Sequence, residues 1–303
     1  MVTKMSNSLY VQIHRLACLL FTICVLSGCA VNSFLIDRVS NLVIVGDEHE
    51  EDLLLARDAS PFYLKLTEGM LNSSPKNANL TESVTSGFTK YAYAFIAFEA
   101  DKLEQKDFKG AELLRERASK MYARAYGHAL RFWKLRFPEF EKNLRSTSNQ
   151  SLIHFDASHV GLLYWSAASL GGWISTAKDQ PDLIADFPIA LQYAQLAWQL
   201  EPSYSQGSLA SLMGTFEWAN PNGSKSKAIE YFDKAIVFSK EKSAGPYVAK
   251  AELVAVSKKD KKMFEELLNK AITIARKNPN LENETMRLRA IWLLENEEDL
   301  LES

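Results

Sequence analysis

Ala190-Leu191-Gln192-Tyr193-Ala194-Gln195-Leu196-Ala197 sets a small residue at its first, fifth and eighth positions. Ala228-Ile229-Glu230-Tyr231-Phe232-Asp233-Lys234-Ala235 repeats that frame, with Phe232 in the middle place. Phe264-Glu265-Glu266-Leu267-Leu268-Asn269-Lys270-Ala271 is a looser third copy, and Ala118, Tyr122 and Ala125 make an earlier match. Positions i, i+4 and i+7 lie on one face of an α-helix. Small residues there let a neighbouring helix approach closely, while a bulky residue between them fills the gap to the next unit. The later copies start at residues 190, 228 and 264, a near-constant period that signals a helical repeat.

This is the small-large-small spacing of the second helix of a tetratricopeptide repeat. The full consensus is degenerate. Pro202 alone holds the expected proline place, and Lys240 and Arg276 stand in its equivalents. The pattern predicts an all-α fold in which antiparallel helix pairs stack as a short tetratricopeptide-like solenoid with a concave face. Composition agrees. With 13 Gly and 9 Pro among 303 residues, tight turns are few.

Working outward, one helix is expected over Asp52–Leu71, broken or kinked at Pro61. A polar loop follows over Asn72–Asn79. Phe88 to Phe98 carries Lys90 as its sole charge, so a helix buried on all sides is expected there. Phe108–Arg136 reads as amphipathic, with a stripe of Leu114, Ala118, Tyr122, Ala125, Ala129 and Trp133, and Phe137-Pro138 ends it. Val160–Ala177 has no charge. Its Ser166, Ser169, Gly171, Gly172, Ser175 and Thr176 argue for a core helix over a membrane span. Leu42-Val43-Ile44-Val45 is left without an assignment.

The N-terminus carries a different message. Lys4 and Arg15 precede an apolar run from Leu16 to Leu26, and Leu26-Ser27-Gly28-Cys29 closes it. The run is short for a bilayer span and has the flanks of a signal peptide. Its ending resembles a bacterial lipobox. The domain layout expected is a signal peptide over 1-28, a lipid-anchored linker over 29-50 and an all-α domain over 51-303, with Cys29 as the lipidation site. Cys18 and Cys24 fall inside the leader, so the mature chain has no disulfide. Ala30 is not the acidic residue that retains some lipoproteins at the inner membrane, which points to the outer membrane, facing the periplasm.

The net charge of -2 and the absence of a basic stripe disfavour nucleic acid. No Gly-rich phosphate loop, G-x-S-x-G or H-E-x-x-H occurs, so no enzyme, catalytic residue or cofactor is expected. His154, Asp156 and His159 are the one tempting metal-like group. Their spacing does not share a helical face, and Asp156 or Ser158 is better placed to cap the next helix. Lys258 to Lys262 reads as a solvated turn with Asp260 as a cap. His49 and His128 stand alone.

Further stretches carry a family resemblance. They are Asp58 to Lys65, Gly87 to Phe95 with Glu99-Ala100-Asp101, and Tyr164-Trp165-Ser166-Ala167-Ala168 through Trp173-Ile174-Ser175. Lys178-Asp179-Gln180-Pro181, Gly245-Pro246-Tyr247-Val248 and Arg289 to Leu294 continue it. In this order they resemble the TatT-type components of TRAP (tripartite ATP-independent periplasmic) transporter systems. The resemblance implies cryptic tetratricopeptide repeats, a homotrimer, an apolar pore or cleft through each protomer, and a periplasmic solute-binding protein as partner. The cargo implied is a small hydrophobic or organic-acid solute. The aromatic, nearly uncharged helices fit such a conduit, with Phe88, Tyr91, Phe95, Tyr164, Trp165 and Trp173 as its expected lining. The competing reading is a tetratricopeptide-like lipoprotein scaffold for envelope or outer-membrane assembly, in which those side chains are plain core.

Overall fold

A computed structural model describes residues 50–140, 144, 155–177 and 179–302, and every regular element among them is helical. Cys29, the leader, the linker, Leu42–Val45, His49 and His154 lie outside the described residues.

Helix α1 spans Leu53–Ser73 and is capped by the Asp52 carboxylate, which accepts from the amides of Leu54 and Leu55. Pro61 lies within it and does not end it. Helix α2 (Ala78–Ala92) begins at the Asn77 cap and runs through a π-helical turn (Tyr93–Ala97) into α3 (Phe98–Leu103). Helix α4 covers Phe108–Arg136. A 3₁₀ turn (Ala157–His159) leads into α5 (Val160–Thr176), followed by α6 (Pro181–Ile184) and α7 (Phe187–Leu200). A second 3₁₀ turn (Tyr204–Gly207) opens α8 (Ser208–Ala219), which precedes α9 (Lys225–Ser239). Helix α10 (Gly245–Lys250) continues into a second π-helical turn (Ala251–Ala255). Then come α11 (Lys261–Lys277), α12 (Leu281–Glu295) and α13 (Glu297–Glu302).

The helices pack in chain order. Helix α2 lies on α4, α4 on α5, α5 on α7, α8 on α9 and α11 on α12. The repeat positions fall on α7, α9 and α11. Ala190, Ala194 and Ala197 on α7, Ala228, Phe232 and Ala235 on α9, and Phe264, Leu268 and Ala271 on α11 are all 0% exposed. The periodicity that predicts the fold is thus its packing surface. One core gathers α4, α5, α7, α8 and α9 around Trp133 and Tyr193, and another gathers α10, α11 and α12 around Phe264 and Leu268. Helix α12 also touches α1.

The structure changes one expectation. The segment 88–98 is not buried on all sides: Phe88 and Ile96 are, but Tyr93 is 36% exposed and Phe95 half-buried. Tyr93 lies on the helix face away from Phe88, whereas Phe98 and Ala100, which follow the π turn, are buried again.

His128, uninformative in the sequence, belongs to an ion cluster that fastens α1 to α4. The buried Glu68 carboxylate accepts from Arg124 Nε and Nη2, both at 2.5 Å, and from Lys65 Nζ at 2.6 Å. His128 Nε2 lies 2.8 Å away. Burial pushes this carboxyl up, but the three partners outweigh it and hold it down at about 2. Burial likewise lowers the His128 imidazole. A carboxylate depressed in the folded state contributes stability above its ordinary value, and that contribution disappears as pH falls through about 2. Acid titration of unfolding should therefore show a loss between about pH 4.5 and 2 that Glu68→Gln flattens. An unchanged acid limb in that variant would refute the role.

Candidate functional site

Three elements bring aromatic and charged side chains together. Helix α5 presents Tyr164 and Trp165 from one face, with ring centroids 4.8 Å apart, edge to face. Tyr204, on the second 3₁₀ turn, sets its ring 5.3 Å from that of Tyr164. Helix α2 supplies Lys90, whose ammonium lies 5.6 Å from the Trp165 ring centre, and Glu82, whose Oε1 accepts from the Tyr204 hydroxyl at 3.3 Å.

Local backbone choices make this possible. Gly161 allows Glu82 to sit against α5, since a Cβ there would lie 2.0 Å from Glu82 Oε1. Tyr204 is aimed by three successive left-handed residues, Ser205, Gln206 and Gly207, with φ of 49°, 52° and 90°. Strained backbone of this kind persists only where its surroundings enforce it.

The electrostatics describe an interior. Burial raises the Glu82 carboxyl above its usual range, against the Tyr204 hydrogen bond and the Lys90 charge. Burial raises the Tyr164 and Tyr204 phenols too, helped by Glu282 at Tyr164 and by Glu82 at Tyr204. Tyr93 is the most informative. Desolvation pushes its phenol up to about 12, opposed by Arg289 and aided by Glu252, Asp101 and Glu282, although the side chain is 36% exposed.

Of the expected lining, Tyr164 and Trp165 stand in this cluster. Phe88 does not: it is 3% exposed and stacked on His128, with Arg124 over its ring. Tyr91 is buried against Phe95, and these two share with Phe88 the face of α2 away from Glu82, Lys90 and Tyr93. Trp173 packs on Tyr126 within the α4–α5–α7 core. The cluster members absent from the expected lining are Glu82, Lys90 and Tyr204. Lys90, the lone charge in an apolar run, was the one visible signal.

Asp156 is a cap: its carboxylate accepts from the Ser158 amide at 2.9 Å and lies 3.0 Å from His159 Nδ1. Asp260 caps α11 through the Met263 amide. Among the described residues no group of three His, Cys, Asp or Glu side chains is placed to hold a metal ion, and no helix is long and apolar enough to cross a membrane.

Successive packed helices and no other regular element among the described residues define an all-α protein. The chain belongs to the TRAP transporter T-component family, which matches residues 49–301. Membership makes it an accessory component of a TRAP system, associated with the cell envelope and with other TRAP components. A protein of Treponema pallidum (strain Nichols), described as an uncharacterized protein, is 23% identical over 286 residues, covering 86% of this chain and 88% of its own length.

Proposed function

We propose that the protein is a lipid-anchored, non-enzymatic TRAP component that binds or relays a small hydrophobic or organic-acid solute together with a periplasmic solute-binding protein. The observation that carries the reading is the cluster of Tyr164, Trp165 and Tyr204, with the Lys90 ammonium beside the Trp165 ring and Glu82 on the Tyr204 hydroxyl. Apolar walls with a few polar groups are what small-molecule sites are made of. The tetratricopeptide-like stacking of helix pairs supplies the frame, and Cys29 holds it to the outer membrane. Self-association into a homotrimer is supported by α1, where Leu55, Phe62, Tyr63 and Leu66 are exposed by 57%, 69%, 47% and 43%.

The test is affinity capture of tagged, natively lipidated protein from the cell envelope, with Cys29→Ser alongside. Recovery of a periplasmic solute-binding protein is expected, and Cys29→Ser should leave the membrane fraction. Recovery of outer-membrane assembly factors in its place would make the protein a scaffold. Full membrane retention of a correctly processed Cys29→Ser chain would remove the lipid anchor.

A further inference from the structure

A cleft of about 720 Å³ is lined by the end of α3, the second π turn, α12 and α13. None of Glu82, Lys90, Tyr164, Trp165 and Tyr204 lines it, so it is separate from the aromatic cluster. Its volume falls in the range of small-molecule sites. Val256, Trp292, Leu293 and Leu300 form the apolar part of its wall. Trp292 is held there against Phe98, edge to face at 6.0 Å.

Charge decides what can fill it. Four wall residues are cations, and three of them are engaged by the protein itself. Arg289 donates from Nη1 to Asp101 at 2.5 Å, and from Nε and Nη2 to Glu252 at 2.9 and 2.7 Å. Lys102 donates to Glu99 at 2.5 Å and lies 4.8 Å from the centre of the Phe98 ring. Arg115 pairs with Glu104. Lys106 is the cation left over, and it is exposed. Against it stand Asp101 and Glu252, which share one guanidinium, with Glu295 and Asp299. Pairing therefore leaves one cation facing three carboxylate charges.

Hydrogen-bonding capacity has the same bias. Asp101 uses Oδ2 and Glu252 uses Oε1 on Arg289, while Asp299 accepts from Gln105 at Oδ2, 3.0 Å away. Asp101 Oδ1, Glu252 Oε2 and Asp299 Oδ1 remain as acceptors among the described residues. The cleft thus offers acceptors and negative charge beside an apolar wall. Among the described residues no three acidic, His or Cys side chains are placed for a metal ion, which favours an organic cation. Glu252 also lies in a π turn, a feature that recurs at functional sites.

We propose that this cleft binds a small organic cation, a linear di- or polyamine, whose ammonium groups donate to Asp101 and Glu252 and to Asp299 and Glu295, with its methylene chain against Trp292 and Val256. Ammonium-to-carboxylate contacts are charge-assisted hydrogen bonds, and the chain removes apolar wall from water. The site takes the opposite charge to an organic acid and shares no residue with the aromatic cluster, so it does not rest on the relay reading.

Calorimetric titration of the full chain in neutral detergent micelles, at about 0.15 M salt, tests it with spermidine, and with glutarate as an aliphatic dianion. One saturable spermidine site per chain is expected, and none for glutarate. Glu295→Gln combined with Asp299→Asn, both at exposed positions, should weaken spermidine binding by about fivefold or more. Lys106→Gln removes the cation that repels the ligand and should tighten binding about twofold. Glu201→Gln combined with Glu230→Gln takes the same charge from exposed positions outside the cleft and should leave binding unchanged. All these positions are exposed, so folding is not at stake. Absence of saturable spermidine binding, equal weakening by the two double variants, or weaker binding in Lys106→Gln would overturn the site. No solute-binding protein enters the titration, so this site and the relay reading fail separately.

Discussion

Trp133→Ala is expected to cost about 3–5 kcal/mol of folding stability, the range for removing a large aromatic from a packed core. Trp133 is 0% exposed. Its ring lies within 5.2 Å of Phe132 and Phe140, 5.8 Å of Phe155 and 6.4 Å of Tyr193, measured between centroids. These partners come from α4, the segment after it, the entry to α5, and α7. One side chain therefore joins consecutive helix pairs. Its indole N–H donates to Ser166 Oγ at 2.9 Å, and Ser166 in turn donates to the Leu162 carbonyl at 2.6 Å. Trp133→Phe keeps most of the ring and loses that donor, so a smaller cost of about 1 kcal/mol is expected. Chemical denaturation of both variants separates cavity from hydrogen bond. Equal costs would mean that ring volume is not what holds this junction.

Gly207→Ala is the second large effect, at about 2–4 kcal/mol. Gly207 has φ of 90°, a left-handed backbone. An added Cβ would lie 2.4 Å from the carbonyl oxygen of Ala235, which is backbone of α9 and cannot swing aside. The cost should appear as lower thermal stability and as movement of Tyr204, which this turn aims at Glu82. Gly69→Ala and Gly127→Ala provide the contrast. Both lie inside helices with nothing within 4 Å of a new Cβ, so each should be neutral or gain up to about 1 kcal/mol. If Gly207→Ala behaves like these two, the left-handed turn is not holding the site.

Fold class was legible because it depends on local spacing. Ala190, Ala194 and Ala197 mark a helix face by their intervals alone, and that face is buried wherever the neighbouring helix comes from. The same holds for the capping residues Asp156 and Asp260, which act within three residues of themselves. The site was legible only in part. Tyr164 and Trp165 stood out as aromatics on an uncharged helix. Phe88 and Tyr91 showed the same composition, yet the structure places them on a different face of α2, packed into neighbours.

What the amino-acid sequence determined by itself is the all-α class, the buried faces of its repeat helices and the family, because periodicity, caps and small packing residues are short-range features. Only the tertiary structure decided which aromatics meet charges. Glu82 reaches Tyr204 across 122 positions, and Arg289 reaches Asp101 across 188. Contacts of that separation depend on how each helix is rotated about its axis, and here two π turns and a left-handed turn set the rotation. Such turns lie in stretches of ordinary helical composition, so packing settles where they fall.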